Sequence, residues 1–346
     1  MKRRLLTCGV LLAAGASIAA AQKINAAGAT FPAAIYQTWF EQYHKLHPGI
    51  EINYQSIGSG GGIAQLTGGT VDFGASDMPM TDDQLSKLKV KAFHFPTVLG
   101  AVVPTYNIPG VSADLKFTPE TLAGIFLGTI TKWNDSRLTK DNPGVKFPNE
   151  EIQVVHRSEG SGTTFVWTDY LSKVSPEWKS KVGANTSVSW PVGLGGRGNE
   201  GVAGLLKQTP NSIGYVELVW AAQNKLATGL VKNAAGNFVK AGVESVTEAA
   251  AGAAKEIPAD FRISITNAPG KQAFPISSFT YLLIPSKIPD AAKTDAIKGF
   301  LQWMLADGQK YAAGLYYAPL PKEIVAKETR QIAQINAPGA PAGKGK

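Results

Sequence analysis

One ten-residue run constrains this chain more than any other: Val155-His156-Arg157-Ser158-Glu159-Gly160-Ser161-Gly162-Thr163-Thr164. It follows an apolar alternation at Ile152 and Val154 and leads into Phe165, Val166, Trp167, Tyr170, Leu171 and Val174, which recur at helical spacing. The pattern predicts a strand, a tight glycine loop and a helix, with Ser161 or Thr163 at the N-cap. A helix start carries unpaired N–H groups and the positive end of the macrodipole, and small residues let an anion approach them. The hydroxyls add directed donors, and Arg157 adds a fork matched to a tetrahedral oxyanion. The same run also reads as an ordinary strand–helix turn with a capping serine and a solvated arginine. It is not a P-loop, because no G-x-x-x-x-G-K-[ST] pattern is present.

The same arrangement occurs twice upstream. Ala27-Gly28-Ala29-Thr30-Phe31-Pro32 opens a helix with Pro32 at the first position and Ile35, Tyr36, Trp39, Phe40, Tyr43 and Leu46 on one apolar face. Ile50 to Gln55 alternates as a strand into Ile57-Gly58-Ser59-Gly60-Gly61-Gly62, where Ser59 is placed as a cap that a ligand shares. A Rossmann fingerprint fails here, since the sixth position from Gly58 or Gly60 is Ile63 or Gln65. A short strand then ends at Ser76-Asp77-Met78-Pro79, and Asp77 reads most simply as the cap of a helix starting near Thr81. His44 and His47 lie three apart on the first helix, but no third ligand is in view, so a solvated or rim position is expected.

The length of 346 residues suffices for two globular domains, and 44% hydrophobic with 17% charged residues describes a soluble globular chain. The net charge is +8, of which Lys2, Arg3 and Arg4 supply three. That mild excess suits an anionic ligand. No dense basic run with interleaved aromatics appears, which excludes nucleic acid as the expected partner.

Residues 1–21 read as a signal peptide: the basic start, an apolar run from Leu5 to Ile18, and Ala19-Ala20-Ala21 as the cleavage pattern. Cleavage after Ala21 leaves Gln22 first and places the protein in the periplasm. A lipoprotein reading at Cys8 is poor, because Cys8 sits near the start of the apolar run and follows Thr7. Cys8 is the only cysteine, so the mature chain has no disulfide and no thiolate chemistry. The uncharged stretch from Phe93 to Ala113 carries Pro96, Pro104 and Pro109 and predicts buried strands with turns, not a membrane span. Further on, Pro191 to Gly204 is glycine-dense, with a helix after Asn199 and Arg197 in a structural or cleft-rim position. A strand at Ile213 to Val216, an Ala-rich helix at Ala249 to Ala254, a strand at Phe279 to Ile284 and an amphipathic segment from Ile297 to Leu305 follow. Residues 338–346 are compositionally a disordered tail.

Taken together and in order, Ala27 to Ala33, Ile57 to Gly62, Val71 to Asp77, Arg157 to Thr163 and Pro191 to Gly196 closely resemble the periplasmic phosphate-binding proteins of bacterial high-affinity phosphate ABC transporters. The resemblance covers nearly the whole mature chain. It implies an α/β, two-domain periplasmic-binding-protein fold (type II) with the ligand in the inter-domain cleft. Domain I would comprise residues 22–99 and 274–337, and domain II residues 100–273. It implies further that Ala29, Thr30, Phe31, Ser59, Asp77, Arg157, Ser161, Gly162 and Thr163 bind inorganic phosphate, with Glu159 holding Arg157. Glu159 stands where the family form is Asp. No cofactor, metal or catalytic residue is implied, and the partners are phosphate and a membrane-embedded permease and ATPase complex.

Two other classes compete. An exported phosphatase-like hydrolase would need a Ser–His pair, and His156 alternates away from Arg157 in a strand. A sulfate or molybdate receptor shares the fold class but does not need a carboxylate in its site.

Overall fold

The computed structural model describes residues 22–336, so the signal-peptide reading and the tail from 338 lie outside the described residues. Strand β1 (Gln22–Gly28) runs parallel to β2 (Ile50–Ser56) on one side and to β3 (Phe73–Ser76) on the other. Helix α1 (Ala33–Leu46) connects β1 to β2, and α2 (Ser59–Gly68) connects β2 to β3. The apolar face of α1 buries Ile35, Tyr36, Trp39, Phe40 and Tyr43. Leu46, expected on that face, is instead 61% exposed at the helix end, and Pro32 is the N-cap residue, one position earlier than expected.

The uncharged stretch after residue 92 forms one continuous 16-residue strand, β4 (Ala92–Asn107), not several strands separated by turns. Its two prolines do not break it. Pro96 lies at a bulge where the register against the partner strand shifts, and that irregularity places Thr97 so that its hydroxyl donates to Thr280 O (3.1 Å). Pro104 is paired opposite Tyr215, and its carbonyl accepts from Gly229 N (2.9 Å).

The strands that carry the rest of the site are β5 (Gln153–Arg157), β6 (Leu194–Gly196), β7 (Ser212–Glu217) and β8 (Ser277–Pro285), accompanied by α3 (Gly162–Val174), α4 (Gly198–Gln208) and α5 (Ala291–Leu305). They join one mixed sheet in the order β2-β1-β3-β8-β4-β7-β5-β6, to which the short strand Ala227–Thr228 adds a ninth member beside β4, and a separate three-stranded sheet lies apart from it. The front of β4 pairs antiparallel with β8, and its back half pairs antiparallel with β7. One strand therefore belongs to both halves of the sheet. The core is continuous and rich in aromatic residues, including Trp39, Trp133, Trp167 and Trp178, each fully buried.

This topology fixes where a ligand can sit. The turns after β1, β2, β3 and β5 all leave the carboxyl ends of parallel strands, where a crevice opens in folds of this kind. Those turns carry Thr30, Ser59, Asp77 and the run from Arg157 to Thr163.

Candidate functional site

The run from Arg157 forms as its spacing predicts: β5 ends at Arg157, and Ser161 caps α3, its hydroxyl accepting from Thr164 N (3.1 Å). Arg157 is 2% exposed. Its Nε donates to Glu159 Oε1 (3.0 Å), its Nη2 also reaches that oxygen, and its Nη1 donates to Thr163 Oγ1 (3.1 Å). Burial alone raises the Glu159 carboxyl, but hydrogen bonds from Arg157 and its charge outweigh that and hold it below the usual carboxylate range. Glu159 Oε1 accepts from Gly198 N as well (3.0 Å), tying the arginine to the start of α4. The longer acid thus spans the distance to the guanidinium.

The loops of the two sheet halves touch. Gly60 N donates to Gly160 O (2.9 Å), and Gly162 N donates to Ser59 Oγ (3.0 Å). Ser59 is the first residue of α2, with Gly58 at the N-cap, so its hydroxyl is turned across the cleft instead of capping its own helix. Gly162 is required by this approach: a Cβ there would lie 2.4 Å from both Asp77 Oδ2 and Ser59 Oγ.

Asp77 is not a helix cap. The short helix Asp82–Ser86 is capped by Thr81, whose hydroxyl accepts from Gln84 N (3.2 Å) while Gln84 Oε1 accepts from Thr81 N (3.0 Å). Asp77 is 1% exposed, and its Oδ1 accepts from Thr280 (2.7 Å) while Oδ2 is buried without a partner. Burial pushes its carboxyl up to about 7, although the Thr280 hydroxyl and the Arg157 charge pull it down.

The first loop is held by its carbonyls and by Ala29 N, which donates to Ala75 O (3.1 Å). Ala29 O accepts from Tyr54 (2.7 Å), Thr30 O from Trp220 Nε1 (3.1 Å) and Phe31 O from Tyr317 (2.6 Å). Among the described residues no protein acceptor takes the main-chain N–H of Thr30 or Phe31. All nine expected site residues and Glu159 therefore belong to one contiguous cluster.

Several members of the cluster carry no local sequence signal. Thr280 reaches Asp77 from β8, Tyr215 accepts from Arg157 N (3.1 Å), and Asn199 bridges Thr30 and Thr163. Arg197 is exposed just before α4, whose N-cap it occupies. His156 stacks on Trp190 at 4.7 Å and its Nδ1 lies 2.9 Å from Arg157 O, so the ring does not pair with a site hydroxyl. His44 Nδ1 lies 2.7 Å from Ile50 O, and the described residues contain no cluster of three or more His, Cys, Asp or Glu suited to a metal. Among the described residues no helix is long and apolar enough to cross a membrane.

A cleft-facing array of amides, hydroxyls and one arginine between two α/β halves defines an oxyanion-binding protein of the periplasmic-receptor type. The model of the PBP superfamily domain matches residues 14–308. The phosphate-binding protein PstS of Xylella fastidiosa (strain Temecula1) is 47% identical over 304 residues, covering 88% of this chain and 83% of its own. PstS of Pasteurella multocida (strain Pm70) is 44% identical over 328 residues, 94% of each chain. In overall fold the chain is similar to a phosphate-bound high-affinity periplasmic phosphate-binding protein, PfluDING, with a TM-score of 0.72 at 23% identity, covering 89% of this chain and 93% of that one. The chain belongs to the PBP superfamily and, within it, to the family of PstS phosphate-binding proteins.

Proposed function

We propose that the protein binds one inorganic phosphate in the cleft, closes on it, and presents it to an ABC-transporter permease and its ATPase without chemical turnover. One observation supports this most: Asp77 places a buried, unpartnered carboxylate oxygen inside an array whose other groups donate. A carboxylate beside an anion is unfavourable unless a proton lies between them, and phosphate near neutral pH carries one. The relatives named phosphate-binding proteins and the phosphate-bound neighbour point the same way.

In this reading Thr30 and Phe31 supply amides and a hydroxyl, Ser59 a hydroxyl and an amide, and Ser161 and Thr163 the hydroxyls of the α3 start. Ala29 N and Gly162 N line the site with their hydrogen bonds already made to Ala75 O (3.1 Å) and Ser59 Oγ (3.0 Å). Arg157, oriented by Glu159, supplies the charge. The lobes are residues 22–99 with 274–337, and residues 100–273, and β4 crosses between them at the Leu99–Gly100 junction. With each charge-assisted hydrogen bond contributing about 1.5–3 kcal/mol, a handful reaches micromolar affinity or better after ordering costs. Export rests on the basic start and Ala19-Ala20-Ala21, with release after Ala21 into the periplasm.

Equilibrium binding of labelled phosphate to the mature protein, run beside a chromogenic phosphate ester, tests this reading. The expected result is one phosphate per chain and no ester turnover. Ester hydrolysis that depends on the cleft residues would contradict it, and intact-mass analysis of exported protein retaining Leu5–Ala21 would contradict the processing.

A further inference from the structure

Asn199 is fully buried at the start of α4 and touches both halves of the cleft. Its Oδ1 accepts from Glu217 N (2.9 Å), a main-chain group that can only donate. That contact fixes which way the amide faces, so the Nδ2 end must point the other way. Nδ2 donates to Thr30 Oγ1 (2.8 Å) in the first half and to Thr163 Oγ1 (3.2 Å) in the second. Thr30 Oγ1 also accepts from Asn199 N (3.3 Å), and Thr163 Oγ1 also accepts from Arg157 Nη1 (3.1 Å).

A hydroxyl has two lone pairs and one hydrogen. At Thr30 and Thr163 both lone pairs are filled by N–H groups, so each can act toward a further partner only as a donor. Ser59 is fixed in the same way by Asp77 N (3.2 Å) and Gly162 N (3.0 Å). We propose that Asn199 is a positioning residue that locks the Thr30 and Thr163 hydroxyls as donors and joins the two halves of the cleft around an anion. The inference rests on the phosphate reading above. It adds a cause for the site's one-sided polarity: the hydroxyls are prevented from offering lone pairs to the ligand, and Asp77 is left as the acceptor.

The test is a double-mutant cycle read by phosphate titration, with wild type, Asn199→Ala, Thr30→Val and the pair, and a circular-dichroism spectrum of each. Asn199→Ala is expected to lower affinity about tenfold in the wild-type background and clearly less, about threefold, beside Thr30→Val, because part of its effect runs through that hydroxyl. Should Asn199→Ala fail to fold, Asn199→Leu fills the same volume without a donor and enters the same cycle. An equal loss in both backgrounds would make Asn199 a packing residue and overturn the proposal, as would wild-type affinity in Asn199→Ala. Wild type that fails to bind phosphate overturns the phosphate reading itself, which keeps the two failures apart.

Discussion

In the proposed reading, Asp77 carries the chemistry that separates phosphate from its close analogues. Burial pushes its carboxyl up to about 7, so a phosphate held beside it near neutrality would share a proton with it. Sulfate brings no proton and can be accepted only when Asp77 supplies one. Discrimination against sulfate is therefore expected to be large at pH 8 and to shrink at pH 5, which competition binding at the two values measures. A pH-independent ratio would leave Asp77 out of selectivity. Asp77→Asn offers an N–H in place of the repulsion and narrows the phosphate–sulfate gap.

The same shift links to folding in the ligand-free protein. The folded state holds a proton between the ordinary value of 3.8 and about 7, so the stability contributed by protonated Asp77 is lost as pH rises through that window. Asp77→Asn should accordingly raise the ligand-free melting temperature at pH 8 and change it little at pH 4. At Arg157, which is 2% exposed, substitution by Ala should weaken phosphate binding by about 1.5–3 kcal/mol, and Glu159→Gln by less.

At the scale of elements, the start of α3 must approach α2 closely, and Gly162 makes that possible. Gly162→Ala puts a methyl group 2.4 Å from Asp77 Oδ2 and Ser59 Oγ, which the observed approach of the two loops does not admit. Phosphate affinity is expected to fall more than about tenfold, while far-UV circular dichroism stays unchanged. Unaltered affinity would mean that the loops need not meet.

Most strands and helices flanking the site were legible because each couples a clear periodicity to a glycine loop. The errors have physical causes. Prolines in β4 read as breaks, but one sits at a bulge and the other is tolerated within the ladder, a fact set by the partner strand. The simpler of the two readings of Asp77, a helix cap, gives way to Thr81-x-x-Gln84, which forms the capping box. Asn199, Tyr215 and Thr280 were invisible for a different reason. Their contacts to Thr163, Arg157 and Asp77 span 36, 58 and 203 residues, and no local pattern encodes such a meeting.

For the molecule as a whole, one determinant of stability lies apart from the binding groups. Glu328 is fully buried near the C-terminus of the described chain, and neither of its oxygens has a partner. Burial holds its carboxyl well above the ordinary range, so the stability it contributes is present at low pH and lost as pH rises past 4.5. Glu328→Met should raise stability at pH 8 by about 1–3 kcal/mol and leave phosphate affinity unchanged, as paired denaturation and binding curves would show. The cleft, by contrast, depends on both sheet halves at once, since Ser59 with Gly162, Gly60 with Gly160 and Thr30 with Asn199 join them across the gap. Calorimetric titration of the mature protein with phosphate, with and without a large excess of sulfate at pH 8, tests this arrangement most directly. The account predicts one site of micromolar or tighter affinity whose heat and affinity are untouched by sulfate. Displacement of phosphate by sulfate, or the absence of a binding heat at several temperatures, would contradict it.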